Sequence, residues 1–254
     1  MSERVSIVLP VFNESAVIAG VAEELTRDVA DRLADVQLVL VDDASTDGTG
    51  AILDRLAEAD PRVSVFHAER NRGHGPSLRA GFDGSDGDWI FQIDADGQQV
   101  AAEFWDLWAE REHADLVMGV RRTREDGRHR AFVSAAARRV TRRLGGGDIR
   151  DVNVPFKLFR RSVWEDLRPD VPAKPVAISI LVALGAALRG WRIAQVSISH
   201  RPRRGGESTV NLRALMRLSS GAVREMLRFR SRVRRRAPLA PQPSSRSASA
   251  SSIL

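Results

Sequence analysis

The chain has 254 residues, of which 43% are apolar, and its formal net charge is +6. That length and apolar content are sufficient for one large α/β domain with a substantial buried core. The absence of cysteine from the sequence excludes disulfides, thiolate metal sites and cysteine nucleophiles. The most apolar late stretch, residues 176–188, is shorter than the roughly 20 residues of a membrane-spanning helix, which predicts a buried helix instead.

The N-terminal sequence MSERVSIVLPVFNE enters an apolar, β-branched run at once, without a basic region followed by a long apolar segment. This pattern is not that of a secretory signal. A sequence without cysteine is also typical of a reducing compartment. We therefore expect a cytoplasmic protein.

Short β-branched runs alternate with helix-length amphipathic segments in the first half of the chain. The runs predicted to be strands are RVSIVL (4–9), VQLVLV (36–41), RVSVFH (62–67), DWIFQI (88–93) and ADLVMG (114–119). This alternation predicts βαβ units and a mostly parallel sheet flanked by helices. The strands are apolar almost throughout, as expected of a parallel sheet that is covered on both faces.

Polar residues follow several of these predicted strands. They are Pro10, Asn13 and Glu14 after the first strand, Asp42, Asp43 and Ser45 at the second, and Asp94 and Asp96 after the fourth. The carboxyl ends of parallel strands meet at one edge of a sheet, and active sites lie at that edge. We therefore expect these side chains to form one site.

The segment WIFQIDADGQQ runs from an apolar strand directly into two carboxylates, Asp94 and Asp96. Two carboxylates this close repel each other unless solvent or a cation separates their charges. A hard divalent cation bound by oxygen ligands does this well, so the pair indicates a metal site. The alternative is an Asp-rich turn at the strand end, where Asp and Gly are favoured by local hydrogen bonding.

The chain becomes more basic in its second half, and its last part divides into two segments. Residues 209–230 are predicted to form a basic amphipathic helix. Residues 231–254 are rich in Arg, Pro, Ser and Ala, a composition that predicts a disordered tail after a main domain at 1–208. The apolar arc of the helix is predicted to contain Leu212, Leu215, Met216, Val223, Met226 and Leu227.

The motifs VSIVLPVFNES, LVLVDDASTDGT, NRGHGPSLRAGF, IDADGQQ, DVNVPFKLFRR and HRPRRGGEST occur in the order and spacing of the family 2 glycosyltransferases. Over residues 4–212 the chain most resembles the dolichol-phosphate mannosyltransferase-like branch. Members of that branch move a sugar from a nucleotide-sugar to a polyprenyl phosphate. The resemblance implies a GT-A fold and an inverting hexosyltransferase that uses a GDP- or UDP-hexose donor and a polyprenyl phosphate acceptor.

The resemblance also implies roles for individual residues. The positions that line the nucleoside pocket and hold the base are matched by Pro10, Phe12, Glu14, Asp42 and Asp43, with Ser45 beside them. The metal and diphosphate motif is matched by Asp94, Asp96 and Gln98, which implies bound Mg²⁺ or Mn²⁺. The phosphate-contacting positions are matched by Arg121, Arg124, Arg130 and Arg203. Forked guanidinium groups suit phosphate oxygens.

Three positions depart from the family pattern. Leu181 stands where this branch usually has an acidic residue, His74 stands in the NxGxG motif, and Glu207 stands where Lys is common. A hydroxyl acceptor needs a carboxylate to remove its proton, whereas a phosphate is ionised near neutral pH because its second pKa is about 6. Leu181 therefore favours a phosphate acceptor, and the weaker matches leave the sugar open.

Other functions are compatible with parts of the sequence. One alternative is a glycosyltransferase acting on a polysaccharide or other hydroxyl acceptor, and another is a nucleotide-sugar binder without catalysis. A nucleic-acid-binding protein would use the high pI of about 11, but neither a helix-turn-helix nor an aromatic stacking signature accompanies the arginines. We expect no nucleic-acid partner, and we expect the basic helix to contact the anionic inner face of a membrane.

Overall fold

The computed structural model describes residues 3–122, 138–202 and 212–236. Its strands are β1 Val5–Val11, β2 Val36–Asp42, β3 Val63–His67, β4 Trp89–Ile93, β5 Leu116–Arg121, β6 Phe156–Arg160 and β7 Ile193–Ile198. Its α-helices are α1 Ile18–Asp28, α2 Thr49–Ala59, α3 His74–Asp83, α4 Phe104–Ala109, α5 Arg161–Leu167, α6 Ile178–Arg189 and α7 Leu212–Arg235. The five predicted strands are confirmed as β1 to β5.

The strands form one seven-stranded sheet in the order β3-β2-β1-β4-β6-β5-β7. The pairs β1–β2, β1–β4, β2–β3 and β5–β7 are parallel, which confirms the mostly parallel α/β fold predicted from the sequence. Strand β6 is the exception, because it runs antiparallel to both β4 and β5. Phe156 at the start of β6 pairs with Ile93 at the end of β4. The loop before β6 therefore lies at the edge where β4 ends.

The core lies between the sheet and the helices on both of its faces. Every residue of β1 and β4 is buried, as the apolar runs predict for central parallel strands. Helix α3 packs on β1 and β2. A Cβ at Gly81 of this helix would lie only 2.3 Å from Val8 Cγ1, so glycine allows the helix to approach the sheet closely.

The apolar stretch 176–188 forms most of α6, a helix whose residues from Ile178 to Ala186 are all buried, as predicted. Leu181 is 0% exposed and packs inside the core. Among the residues described, no helix combines the length and the apolar character that crossing a membrane requires.

Helix α7 differs from the sequence prediction in two details. It continues to Arg235, so residues 231–235 belong to the helix and not to the predicted tail. Within residues 220–236, whose side chains are described, Met226, Phe229 and Val233 are buried, whereas Leu227 is 48% exposed. The spacing of three and four residues places these buried side chains on one face. The prediction is therefore confirmed for Met226 and wrong for Leu227, while the side chains of Leu212, Leu215 and Met216 lie outside the described ones.

A buried ion network joins α7 to the domain. Asp166 is 1% exposed, and its carboxylate lies 3.5 Å from Arg189 Nε and 3.0 Å from Arg236 Nη2. Asp170 Oδ2 accepts hydrogen bonds from Arg236 Nε at 2.9 Å and from Arg189 Nη2 at 3.3 Å. Two acids thus share two arginines, one at the end of α6 and one just after α7. This network fixes the end of α7 against α5 and α6.

Candidate active site

The loops after β1 and β2 are hydrogen-bonded to each other at the carboxyl edge of the sheet. Ser45 Oγ accepts a hydrogen bond from the Asn13 N–H at 3.0 Å, and Asn13 Oδ1 accepts one from the Thr46 N–H at 2.8 Å. The Glu14 N–H donates to Thr49 Oγ1 at 3.0 Å. Pro10 is buried at the end of β1, and Phe12 is 44% exposed beside it. These hydrogen bonds hold together the two loops that carry the predicted nucleoside-binding residues.

Asp42 and Asp43 are both buried, and each already accepts hydrogen bonds from within the chain. Asp42 Oδ1 accepts from the Ser45 N–H at 3.0 Å, and Asp42 Oδ2 lies 3.0 Å from His67 Nδ1. Asp43 accepts from the N–H groups of Arg72 and Gly73, at 2.8 and 2.7 Å. Asp43 therefore fixes the loop that leads into α3, and the orientation of the Asp42 carboxylate is fixed by Ser45 and His67.

His67 lies between two carboxylates. Its Nδ1 contacts Asp42, and its Nε2 lies 2.9 Å from Asp54 Oδ1 of α2. The hydrogen bond to Asp42, and to a smaller extent the one to Asp54, raises the pKa of His67 above its ordinary value. Burial alone would raise the pKa of Asp42, but hydrogen bonds from Ser45 and His67 hold it below its ordinary value. Each partner thus favours the charged form of the other.

This arrangement predicts pH-dependent stability. A group with a raised folded-state pKa stabilises the fold below its unfolded pKa, about 6.5 for His, and that contribution is lost as the pH rises through the folded value. The difference in unfolding free energy between wild type and His67→Gln should therefore be largest below about pH 6.5 and smaller at pH 8.5. Urea denaturation across that range measures it. Exposed His113→Gln is the control, and parallel pH curves for wild type and His67→Gln would contradict the prediction.

The predicted metal motif follows β4 directly and forms a turn at Ala95 and Asp96, with Gly97 at a φ of 70°. Asp94, Asp96 and Gln98 are partly exposed, whereas Ala95, Gly97 and Gln99 are buried. Asp96 Oδ1 accepts a hydrogen bond from the Gln98 N–H at 3.0 Å. The structure thus keeps the three predicted ligands close together around one turn.

Asp94 carries negative charge that its surroundings do not balance. Its Oδ1 is buried without a hydrogen-bond partner among the described residues, and His74 Nε2 lies 3.8 Å from that atom. Burial, together with the nearby charge of Asp96, raises the pKa of Asp94 to about 6. A bound cation would lower this pKa and satisfy the buried oxygen.

Asp94, Asp96 and Gln98 fit a divalent cation whose remaining ligands come from the substrate. Within the described part of the chain, no group of three His, Cys, Asp or Glu side chains is placed to hold a metal ion. Mg²⁺ is commonly bound through one or two carboxylates together with substrate phosphates, not by an all-protein cage. Asp94, Asp96 and the amide oxygen of Gln98 are a donor set of that kind.

A pocket of about 270 Å³ opens beside Asp94. Arg121, predicted to contact phosphate, lines it, and its guanidinium forms a two-point ion pair with Asp151 at 2.8 and 3.1 Å. Asp96 and the predicted nucleoside-pocket residues are not part of this lining. The lining residues are His74, Asp94, Gln98, Gln99, Arg121, Asn153, Pro155, Val176, Ala177, Ile178, Ser179 and His200.

The other predicted phosphate contacts, Arg124, Arg130 and Arg203, lie outside the described residues, as does Glu207. The start of the last basic loop is described, and it pairs with the metal motif. The Arg201 N–H donates to the Gln98 carbonyl at 2.8 Å, and the Arg201 guanidinium forms an ion pair with Glu24 at 2.9 Å. This loop therefore leaves the described structure directly beside Gln98.

Asp151, Lys157 and Ser179 were not predicted from the sequence as residues of this site. Lys157 of β6 is 0% exposed and donates hydrogen bonds to the Val154 carbonyl and, at 2.9 Å, to Ser179 Oγ. Burial lowers the pKa of Lys157 to about 7. Gln92 Nε2 donates to the same Ser179 Oγ at 3.0 Å. One signal was available, because Lys157 and Lys174 are the only lysines in a sequence that otherwise uses arginine.

Comparison with known proteins identifies the family to which this chain belongs. Residues 6–168 match the family described as Glycosyl transferase family 2, which is more than half of the chain. The chain belongs to the family 2 glycosyltransferases. This confirms the resemblance drawn from the sequence motifs.

Two relatives within family 2 are informative. The polyprenol monophosphomannose synthase of Mycolicibacterium smegmatis is 30% identical over 246 residues, covering 89% of each chain. An undecaprenyl-phosphate 4-deoxy-4-formamido-L-arabinose transferase of Shewanella sediminis is 33% identical over 219 residues, covering 84% of this chain. This family 2 chain spans 64% of the length of the second relative.

Solved structures agree with the GT-A arrangement of this family 2 fold. Glucosyl-3-phosphoglycerate synthase from Mycobacterium tuberculosis, crystallised with Mn²⁺, UDP and glucosyl-3-phosphoglycerate, superposes with a TM-score of 0.68 at 21% identity. That superposition covers 90% of this chain and 80% of the synthase. Mannosyl-3-phosphoglycerate synthase from Rubrobacter xylanophilus gives a TM-score of 0.66 at 21% identity, over 95% and 78% of the two chains.

Proposed function

We propose that this chain is an inverting hexosyltransferase that moves a sugar from a nucleotide-sugar, GDP- or UDP-linked, to a polyprenyl phosphate. The observation that carries the proposal is the similarity to the polyprenol monophosphomannose synthase along 89% of both chains. The site is consistent with this reaction, since carboxylates, a pocket and an arginine meet at the carboxyl edge of the sheet.

The chemistry requires one displacement. An oxygen of the lipid phosphate attacks the anomeric carbon, and the bond between that carbon and the diphosphate oxygen breaks with inversion. The nucleoside diphosphate leaves with the bonding electron pair. No proton has to be removed because a phosphate is ionised at neutral pH, with a second pKa of about 6. Leu181 is buried and apolar, so α6 offers no base at that position and none is needed.

The residues divide between donor and acceptor. Pro10, Phe12, Glu14, Asp42 and Asp43 bind the nucleoside. Asp94, Asp96 and Gln98 would hold Mg²⁺ or Mn²⁺, which supplies Lewis-acid stabilisation of the diphosphate charge when bound. Arg121, Arg130 and Arg203 contact phosphate oxygens. Arg121 is oriented for this by Asp151.

A transfer assay tests the proposed function. Purified protein is incubated with Mn²⁺, a short-chain polyprenyl phosphate and, separately, radiolabelled GDP-mannose, UDP-glucose or UDP-N-acetylglucosamine. We expect label from one donor to enter an organic-extractable product that mild acid cleaves. Label that appears only on water-soluble hydroxyl acceptors would replace the polyprenyl phosphate with a polysaccharide or small-molecule acceptor.

We also propose that the protein is cytoplasmic and contacts the membrane peripherally through the outer face of α7. Arg224, Leu227 and Arg228 are exposed there, and Lys174 lines a cavity of about 340 Å³ together with Arg224 and Arg228. Each basic residue near an anionic surface contributes about 1 kcal/mol. Arg228→Gln should therefore weaken binding to phosphatidylglycerol vesicles by about fivefold, as measured by co-sedimentation.

Two control measurements test whether membrane binding depends on α7. Arg55→Gln, an exposed arginine on α2, should leave vesicle binding unchanged. Equal losses from the two variants would mean that net charge, and not α7, determines binding. Wild-type protein that stays in the supernatant with anionic vesicles would contradict membrane contact.

A further inference from the structure

One wall of the pocket beside Asp94 is formed by the backbone that leads into α6. We name residues 175–178 the wall segment. Three of its residues, Val176, Ala177 and Ile178, line the pocket together with Asp94 and Gln98 of the metal motif. The match to the glycosyltransferase family ends at residue 168, so the wall segment lies beyond it. The position of this backbone determines the width of the pocket.

The inner side of the wall segment is held by the domain itself. A Cβ on Gly75, at the start of α3, would lie 1.9 Å from the Pro175 carbonyl oxygen, so the two backbones are in direct contact. Ser179, the residue after the segment, accepts hydrogen bonds from Lys157 and Gln92. The segment cannot move inward without displacing one of these groups.

The outer side is hydrogen-bonded to the Glu225 side chain of α7. The Glu225 carboxylate accepts hydrogen bonds from the Val176 N–H, at 2.9 and 3.1 Å, and from the Ala177 N–H, at 2.9 Å. Ala177 is the N-cap residue of α6 and provides no side-chain cap of its own. For the Ala177 N–H, Glu225 thus supplies from another helix the acceptor that a Glu or Gln three residues after the N-cap provides in a capping box.

The sequence of α7 contains one carboxylate that can accept these hydrogen bonds. Glu225 is the only acidic residue in a helix that otherwise carries arginine as its charged residue. The neighbouring side chains Met226 and Phe229 are buried, so the helix cannot rotate Glu225 away without exposing them. The only negative charge of α7 is therefore directed at the backbone of the pocket wall.

We infer that Glu225 is a positioning residue for the acceptor, which acts by holding the wall segment at the width that the acceptor phosphate requires. The wall segment lies where the acceptor phosphate would meet the donor diphosphate, because Asp94, Gln98 and Arg121 line this pocket and none of the predicted nucleoside-binding residues does. The inference rests on the proposed transfer to polyprenyl phosphate. It makes α7 a part of the acceptor site as well as a membrane-facing surface.

Kinetics of the full chain test this role. Loss of hydrogen bonds to a charged acceptor costs about 1.5 kcal/mol or more, so Glu225→Ala should raise the KM for a short-chain polyprenyl phosphate by about tenfold. The KM for the nucleotide-sugar should stay within about twofold. Glu225→Gln keeps one acceptor oxygen and should lie between wild type and Glu225→Ala. Glu58→Gln, an exposed acid on α2, makes the same charge change and should match wild type.

Hydrogen–deuterium exchange supplies a readout that does not need activity. The amides of Val176 and Ala177 should exchange faster in Glu225→Ala, while those of β1 and β4 remain protected. Unchanged exchange, or an unchanged acceptor KM in a wild-type enzyme that transfers sugar to the lipid, overturns the inference alone. Wild-type enzyme that transfers no sugar to polyprenyl phosphate overturns the proposed function and the acceptor role with it.

Discussion

An Asp96→Ala variant should lose at least about a hundredfold in sugar transfer, the size of effect that follows when one group stabilising transition-state charge is removed. Asp96 lies in the turn that follows β4, between Asp94 and Gln98, and the proposed cation offsets the charge on the departing diphosphate. The variant should remain folded because Asp96 is only partly buried. Initial rates at saturating donor and Mn²⁺, together with the thermal midpoint, measure both expectations.

Asp106→Ala is the matched control for this variant, since Asp106 is an exposed acid on α4 away from the sheet edge. It should retain full activity. Calorimetric titration adds a direct test, because UDP or GDP should bind wild type more tightly with Mn²⁺ than with EDTA, and Asp96→Ala should lose that difference. An Asp96→Ala enzyme that keeps most of its activity would refute the metal role of this carboxylate.

The second large effect concerns stability. Asp166→Ala should lower the free energy of unfolding by about 3 to 5 kcal/mol, the cost of removing one partner from a buried ion pair. Asp166 contacts Arg189 and Arg236, and the Arg189 side chain is only 4% exposed. Trp191 Nε1 also donates to this carboxylate at 3.2 Å. We expect the lower end of the range, because Asp170 still contacts both arginines.

Urea denaturation followed by tryptophan fluorescence measures this loss. The comparison is Asp31→Ala, which breaks the ion pair of Arg62 with an acid whose side chain is 54% exposed. Exposed ion pairs contribute about 0 to 1 kcal/mol, so Asp31→Ala should be nearly neutral. Similar losses for the two variants would mean that the Asp166 network is not a buried, low-dielectric one.

Much of the proposed donor half of this site could be predicted from the sequence. Strands β1, β2 and β4 are apolar runs that end in polar residues, and parallel pairing brings their carboxyl ends together without further information. Asp94, Asp96 and Gln98 lie near one another because they are close in the sequence and follow β4 directly. Local pattern and sheet geometry agree there, so little tertiary information is required.

The acceptor half could not be predicted in the same way. Strand β6 is reversed, so its preceding loop, with Asp151 and Asn153, reaches the site. A strand run in the sequence does not encode its direction in a sheet. Lys157 and Ser179 meet only because β6 and α6 pack together. The register of α7 was likewise set by packing, which buried Phe229 and left Leu227 exposed.

The order of strands also affects how the chain reaches its native state during synthesis. Strand β5 pairs with β6 and β7, and both of these follow it along the chain. When β5 leaves the ribosome, its apolar residues have neither of their native neighbours, and they stay unpaired until β6 has emerged. Unpaired strand edges of this kind invite aggregation. Nascent chains that end between β5 and β6 should therefore depend more on chaperones than chains long enough to include β7.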